Sequence, residues 1–203
     1  RVPRPAASVM RALAFTLGRL RPQYETPQLL LVVPENHRFG GSRVPVTNAL
    51  HRAEELLMSC QVDFGLISEK QLDKLPEGVR ALLYPVPYCP SDETVELLKE
   101  FVRKGGALYV SGDLSYDPER KLTRQQRLPE LAGVERVGER YPNIARNTGK
   151  PTQLASAIGG LTDGEARPGI DVRATDAEVL ARDTGGQPVL TSRRIGTGSV
   201  LFC

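Results

Sequence analysis

The stretch SDETVELLKEFVRKGGALYV, residues 91–110, decides the fold class. Ser91 is a predicted helix N-cap, and the acidic first turn that follows suits the positive end of the helix dipole. An apolar stripe at helical spacing comes next, and two glycines end the helix before an apolar run of strand type. The stripe consists of Val95, Leu98 and Val102. The stretch therefore predicts a helix that leads directly into a buried strand.

The same alternation runs through the first half of the chain. The predicted strands are residues 28–33, 62–67, 79–84 and 107–110. Between them we predict a helix over residues 47–59 with Thr47 as its N-cap, and a short helix over residues 69–75 with Ser68 as its N-cap. An amphipathic helix over residues 6–20 precedes the first strand. Alternating strands and helices with short links predict a mostly parallel sheet in a flavodoxin-like three-layer α/β sandwich.

The pattern weakens after residue 114. We predict a helical turn at 128–132, a short strand at 134–137 and a loop or extension over 138–168. The remainder looks rich in β-structure, with strands at 179–182, 188–193 and 199–203 and glycine turns between them. We therefore expect an α/β domain over residues 1–150, including the first helix. A β-rich extension over residues 151–203 is expected to pack on that domain or to lead to a further one.

Composition and charge exclude several classes of function. The chain is 40% hydrophobic and 25% charged, as in globular proteins, and its net charge of +3 is too small to predict nucleic-acid binding. No apolar stretch approaches the length of a membrane span. The three cysteines have neither disulfide nor metal spacing, which favours the reducing cytoplasm. The chain starts without methionine and stops inside a predicted strand, so we expect a domain of a longer protein.

Candidate binding residues follow the predicted strands. Glu35 and Asp113 come after the first and fourth strands, at the carboxyl edge of the sheet, where open α/β sheets bind ligands. His37, Arg38 and Tyr88 belong to loops at the same edge. These residues are the predicted ligand or partner edge. A purely structural interpretation is also open, in which Asp113 caps a turn after Gly112 and Glu35 has no binding role.

The sequence lacks the signatures of common catalytic sites. The chain has no glycine fingerprint for nucleotides, no nucleophile elbow and no histidine, cysteine or carboxylate cluster at metal-ligand spacing, so no cofactor and no metal are predicted. Cys89 precedes a helix N-terminus, where a dipole can lower a thiol pKa. Its partner base would have to be His37 or His51, and the preferred interpretation is a loop cysteine packed under the helix.

Several stretches resemble the glutamine-amidotransferase-like domain of glycoside hydrolases, also called the β-galactosidase trimerisation domain. They are the helix over 6–20 with the run PQLLLVV at 27–33, ALLYPVP at 81–87, LLKEFVRKGGALYV at 97–110, GQPVL at 186–190 and RIGTGSVL at 194–201. The most specific feature is the helix that ends in Lys-Gly-Gly and runs into a strand. Where active amidotransferases carry a cysteine elbow, this chain has Ser111-Gly112-Asp113, and no histidine occurs after His51.

The resemblance implies a non-catalytic accessory domain of a larger glycoside hydrolase. It implies a role in oligomer assembly and in walling the cleft of a catalytic barrel that this chain lacks, with the loop over 35–43 near that barrel. The expected partners are the chain's own barrel domain and neighbouring protomers, with no nucleic acid and no membrane. Two alternatives stay open: a small-ligand-binding or regulatory flavodoxin-like module, and a cysteine-dependent amidotransferase-like enzyme that uses Cys89.

Overall fold

A computed structural model describes residues 4–20, 25–36, 43–140, 169–182 and 186–203. The described chain contains four α-helices, one 3-10 helix and nine strands. The helices are α1 (Arg4–Leu20), α2 (Arg43–Ser59), the 3-10 helix Glu69–Lys74, α3 (Asp92–Arg103) and α4 (Arg127–Ala132). The strands are β1 (Leu29–Val33), β2 (Gly65–Ser68), β3 (Ala81–Tyr84), β4 (Ala107–Val110), β5 (Val134–Arg140), β6 (Gly169–Ala174), β7 (Glu178–Arg182), β8 (Pro188–Ile195) and β9 (Gly198–Phe202).

One seven-stranded sheet organises the molecule, in the order β2-β1-β3-β4-β9-β8-β7. The pairs β2–β1, β1–β3, β3–β4 and β4–β9 are parallel, whereas β9–β8 and β8–β7 are antiparallel. The strands β5 and β6 form a separate antiparallel pair. The prediction of a mostly parallel, flavodoxin-like sheet with a β-rich C-terminal part is confirmed.

The main core lies on one face of this sheet. Alternate residues of β1, β3, β4 and β9 point to that face, and the 3-10 helix, α3, α4 and the β5–β6 pair supply the opposing side chains. The central members are Leu30, Val32, Leu82, Leu98, Leu108, Leu128, Leu131 and Val200. The connection from β1 to β2 runs along the sheet in the opposite direction from the connection between β3 and β4. Because such crossovers are right-handed, α2 lies on the face of the sheet opposite α3.

Local capping signals are confirmed at two helices. The Ser91 hydroxyl accepts a hydrogen bond from the backbone N–H of Thr94 at 3.1 Å, which starts α3. The Ser68 hydroxyl accepts one from the Lys70 N–H at 3.3 Å, which starts the 3-10 helix. Gly105 adopts a φ of +106° directly after α3, a value that few residues other than glycine tolerate. The α3–β4 unit therefore folds as its sequence predicts.

Element boundaries differ from the predictions at several points. Thr47 is not the N-cap of α2, because the helix begins at Arg43; Pro45 is tolerated in the first turn, where backbone N–H groups lack helical partners. Strand β2 begins at Gly65 rather than at residue 62, and β3 begins at Ala81 rather than at residue 79. Strand β5 runs on to Arg140, into the region predicted as loop.

Strand β9 closes the sheet between β4 and β8. Leu108 pairs with Val200 on the parallel side, and Arg193 pairs with Val200 on the antiparallel side. The turn between β8 and β9 falls at Gly196 and Thr197, as predicted. The predicted domain boundary at residue 150 lies outside the described residues. The pairings nevertheless make β7, β8 and β9 strands of the same sheet as β1–β4.

Candidate functional site at the carboxyl edge of the sheet

The predicted binding residues fall at the carboxyl edge of the parallel strands. Glu35 lies two residues past β1, Tyr88 lies half-buried in the loop between β3 and α3, and Asp113 follows β4. His37 and Arg38 lie outside the described residues. The edge is therefore built from the ends of three adjacent strands, together with the end of β2.

A buried carboxyl group that the sequence analysis missed organises this edge. Glu69 is 2% exposed, and its Oε1 accepts a hydrogen bond from the backbone N–H of Glu35 at 2.7 Å. The backbone N–H of Asn36 donates to the same carboxyl group, and the Tyr84 hydroxyl donates to Oε2. Burial raises the pKa of Glu69 above its ordinary value, and these hydrogen bonds offset part of that shift.

Further hydrogen bonds join the loops that follow β1, β2 and β3. The Ser68 hydroxyl donates to Oε1 of Glu35 at 2.8 Å. The Asn36 side-chain amide donates to the Cys89 carbonyl at 2.6 Å. Together with Glu69, these contacts fix Glu35 and Asn36 against two neighbouring segments. The polar groups at this part of the edge therefore hydrogen-bond to one another rather than face an open cavity.

Cys89 has the surroundings of a structural thiol. It is 7% exposed, and its φ of +48° places it in the left-handed region at the turn into α3. Burial raises the pKa of the Cys89 thiol, which disfavours the nucleophilic thiolate. His51, the histidine that the structure describes, is exposed on α2, where its Nδ1 lies 3.4 Å from Oε2 of Glu54. Within the described chain, no imidazole lies beside the thiol.

Asp113 is held by two neighbours. Its Oδ1 accepts the Ser115 backbone N–H at 2.9 Å, and its Oδ2 accepts the Arg136 Nε–H at 2.9 Å. The side chains of Asp113 and Arg136 are 13% and 14% exposed. The hydroxyl of Ser111, in the turn after β4, donates to the Pro85 carbonyl. Both groups therefore support the turn after β4.

A second buried charge, Arg127 on α4, was also missed. It is 2% exposed, and its Nη1 donates to the carbonyls of Pro90, Leu114 and Tyr116 at 3.0, 3.2 and 3.1 Å. Its Nη2 donates to Oδ1 of Asp92 at 2.6 Å. Arg127 thus ties the start of α3 to the segment after β4. No sequence signal marks it, whereas Glu69 could have been suspected because it follows a strand directly.

The described residues offer neither a metal site nor a membrane span. Within the described ranges, no cluster of three or more histidine, cysteine, aspartate or glutamate side chains has the arrangement of a metal site. The three cysteines, all within the described residues, form no disulfide, and Cys60 and Cys203 are exposed. None of the described helices has both the length and the apolar composition that a membrane span requires.

Several solved structures with the same fold are glycoside hydrolases. A catalytic mutant of a GH42 β-galactosidase from G. stearothermophilus is 19% identical, with 97% of this chain and 30% of that chain covered and a TM-score of 0.69. The cold-adapted β-galactosidase from Rahnella sp. R3 is 16% identical, with 96% and 30% covered and a TM-score of 0.69. An exo-β-1,4-mannosidase from Opitutaceae bacterium strain TAV5 is 20% identical, with 97% and 32% covered and a TM-score of 0.60.

No protein-family model matches the sequence, and no curated protein matches it. The chain is a flavodoxin-like α/β domain, and its fold is also that of one segment of these glycoside hydrolases. It spans about a third of the length of the solved structures that it matches. The resemblance to the glutamine-amidotransferase-like domain, drawn from the sequence, is thereby confirmed at the level of the fold.

Proposed function

We propose that this chain is a non-catalytic accessory domain of a larger glycoside hydrolase, with a role in oligomer assembly. One observation carries the proposal: the fold matches 97% of this chain but only 30% of a β-galactosidase chain. A chain that is matched over nearly all of its length, yet accounts for so small a part of its neighbours, fits a segment that works beside a separate catalytic domain.

The chemistry of the carboxyl edge supports a non-catalytic role. Cys89 is buried with a raised thiol pKa, and Asp113 is engaged by a backbone N–H and by Arg136. Glu69 is enclosed by donors from its own chain. General acid–base or nucleophilic catalysis needs a group that can reach a substrate. These side chains instead stabilise the loops that surround them.

In the whole enzyme, the edge formed by Glu35, Tyr88 and Asp113 would lie next to a catalytic barrel of the same polypeptide and wall its cleft. Residues 151–203 are proposed to belong to the same domain as residues 1–150, which the pairing of β9 with β4 supports. Three cysteines that form no disulfide favour a cytoplasmic location. The similar solved structures include both β-galactosidases and a mannosidase. We therefore propose the class of glycoside hydrolases and no particular sugar specificity.

The native size of the protein tests this function. An antibody raised against the 22.2 kDa chain is used to isolate the native protein for intact mass measurement and for assays with aryl glycosides. We expect a mass several times larger and glycosidase activity in the isolated material. The purified chain alone should hydrolyse neither aryl glycosides nor glutamine. A native mass near that of the chain, or turnover by the chain alone that is lost in Cys89→Ala, contradicts the proposal.

A further inference from the structure

A buried acid holds the loop that follows β1. The Glu69 side chain is 2% exposed and lies where β2 runs into the 3-10 helix. Its carboxyl group accepts hydrogen bonds from the backbone N–H groups of Glu35 and Asn36 and from the Tyr84 hydroxyl. The two contacts with the Glu35 and Asn36 N–H groups are here called the Glu69 clasp. The clasp joins the loop after β1 to the start of the 3-10 helix.

An ionised Glu69 has no counter-ion at this site. Within the described ranges, no lysine or arginine side chain forms an ion pair with Glu69, and its neighbours in the 3-10 helix, Lys70 and Lys74, are exposed. A carboxylate that is buried without a counter-ion carries a desolvation cost that hydrogen bonds offset only in part. The buried clasp therefore disfavours the ionised form of Glu69, relative to the same carboxylate in water.

A second carboxyl group adds to this cost. Glu35 supplies one of the clasp N–H groups, and its own side chain accepts the Ser68 hydroxyl at 2.8 Å. Because Ser68 directly precedes Glu69, both carboxyl groups lie at the end of β2, and the charge of Glu35 disfavours the ionised form of Glu69. Opening of the loop would separate the two carboxyl groups and let water reach both.

A neutral Glu69 removes this cost and keeps the clasp. In the protonated carboxyl group Oε1 still accepts the two N–H groups, and the O–H on Oε2 can donate to the Tyr84 oxygen, since a tyrosine hydroxyl both donates and accepts. Burial raises the pKa of Glu69 above its ordinary value of 4.5, as expected for a closed site that favours the neutral form. An open loop returns the carboxyl group to water. Protons therefore bind more tightly to the closed loop than to the open one.

The other ionisable groups that face the clasp titrate at higher pH or are engaged elsewhere. Burial raises the pKa of the Tyr84 hydroxyl and of the Cys89 thiol above their ordinary values of 10.0 and 9.0, so both stay neutral below pH 7.5. Arg127 on α4 acts on Tyr84 but is bound to three carbonyl oxygens and a carboxylate. Lys99 on α3 is held in ion pairs with two glutamates. Among these described groups, Glu69 is the one whose ionisation changes the clasp directly.

We propose that the Glu69 clasp is a pH-dependent device that holds the loop after β1 closed while Glu69 is protonated and releases it when Glu69 ionises. The carboxyl edge is closed at acidic pH and opens locally as the pH rises, within a chain that stays folded. The Asn36 side chain donates to the Cys89 carbonyl at 2.6 Å, so release of the loop also separates the loops after β1 and β3. The device belongs to this chain alone and operates whether or not the edge walls a catalytic cleft.

Hydrogen exchange of the two clasp amides tests the device. Protection factors of the Glu35 and Asn36 N–H groups, which correct for the intrinsic pH dependence of exchange, are measured by NMR on the full chain from pH 4.5 to 7.5. We expect both to fall by at least about threefold over this range. Glu69→Gln is neutral at every pH and keeps an acceptor oxygen, so both factors should stay constant. Glu77→Gln is the matched control: Glu77 is exposed, so the pH response should remain.

Two further measurements assign the response to Glu69. The ¹³C resonance of the Glu69 carboxyl carbon should titrate over the pH range in which protection is lost, a test that needs no variant. His37 follows the clasp in sequence, and histidine side chains ordinarily titrate near pH ~6.5, so His37→Gln should keep the full response. Protection factors that do not change with pH overturn the inference. So does a response that survives Glu69→Gln, one that disappears in His37→Gln, or a Glu69 carbon that does not titrate where protection falls. None of these results depends on the native mass that tests the proposed function.

Discussion

Replacement of Arg127 by methionine should destabilise the protein substantially while leaving the fold intact. The guanidinium donates to three carbonyl oxygens at 3.0–3.2 Å, and those of Pro90 and Leu114 lie in buried surroundings. Each buried carbonyl left without a donor costs about 1–3 kcal/mol. The contact with Asp92 adds less than about 1 kcal/mol, since that side chain is 61% exposed. The methionine variant recovers part of this loss, because it removes the Arg127 Nε, which is buried without a hydrogen-bond partner.

These contributions give an expected loss of about 3 kcal/mol, or a Tm lowered by roughly 6–12 °C for a chain of this size. Urea unfolding followed by circular dichroism measures it, since the chain contains no tryptophan. Arg124→Met is the matched control: Arg124 also pairs with Asp92, at 2.9 Å, but its side chain is 33% exposed, so the loss should stay below about 1 kcal/mol. A loss below about 1 kcal/mol for Arg127→Met, or equal losses for both variants, would refute the reasoning.

Three further predictions concern other parts of the chain. Gly198→Ala should destabilise the protein by about 2–4 kcal/mol in the same urea assay, because the added Cβ would lie 2.1 Å from a backbone carbonyl oxygen; Gly138→Ala, with open space around it, should change little. At pH 8, Ellman's reagent should modify the two exposed cysteines rapidly and Cys89 only after unfolding, and three fast thiols would contradict its burial. The pKa of Glu69 is higher in the folded state than its ordinary value of 4.5, so its contribution to stability is fully present below pH 4.5 and is lost as the pH rises through the folded-state pKa. Glu69→Gln should therefore flatten this part of the stability–pH profile. An unchanged profile would contradict the raised pKa of Glu69.

The sequence predicted those parts of the fold that depend on local signals. The α3–β4 unit has its cap, apolar stripe and glycine stop within twenty residues, and the structure reproduces all of them. The start of α2 was predicted wrongly because Thr47 is a good cap residue, whereas the preceding segment continues the helix. The place of β9 beside β4 could not be read from the sequence, since pairing between distant strands leaves no local pattern.

The candidate site was predicted less completely than the fold. The sequence places Glu35 and Asp113 at the carboxyl edge because strand ends can be located from apolar runs. It does not reveal that Glu69 and Arg127 are buried, since charged residues are nearly always exposed and only tertiary packing reverses that rule. The groups that hold the edge together are therefore the ones that local patterns cannot identify.

The central place of β9 also bears on how the chain is made by the ribosome. Strand β4 leaves the ribosome roughly ninety residues before β9. Synthesis of the intervening chain takes on the order of 5–20 s. During that time the edge of β4 has no partner, and its apolar run is open to pairing with other nascent chains. Production of soluble protein should therefore depend on translation speed and on chaperones that shield this edge until the last strand arrives.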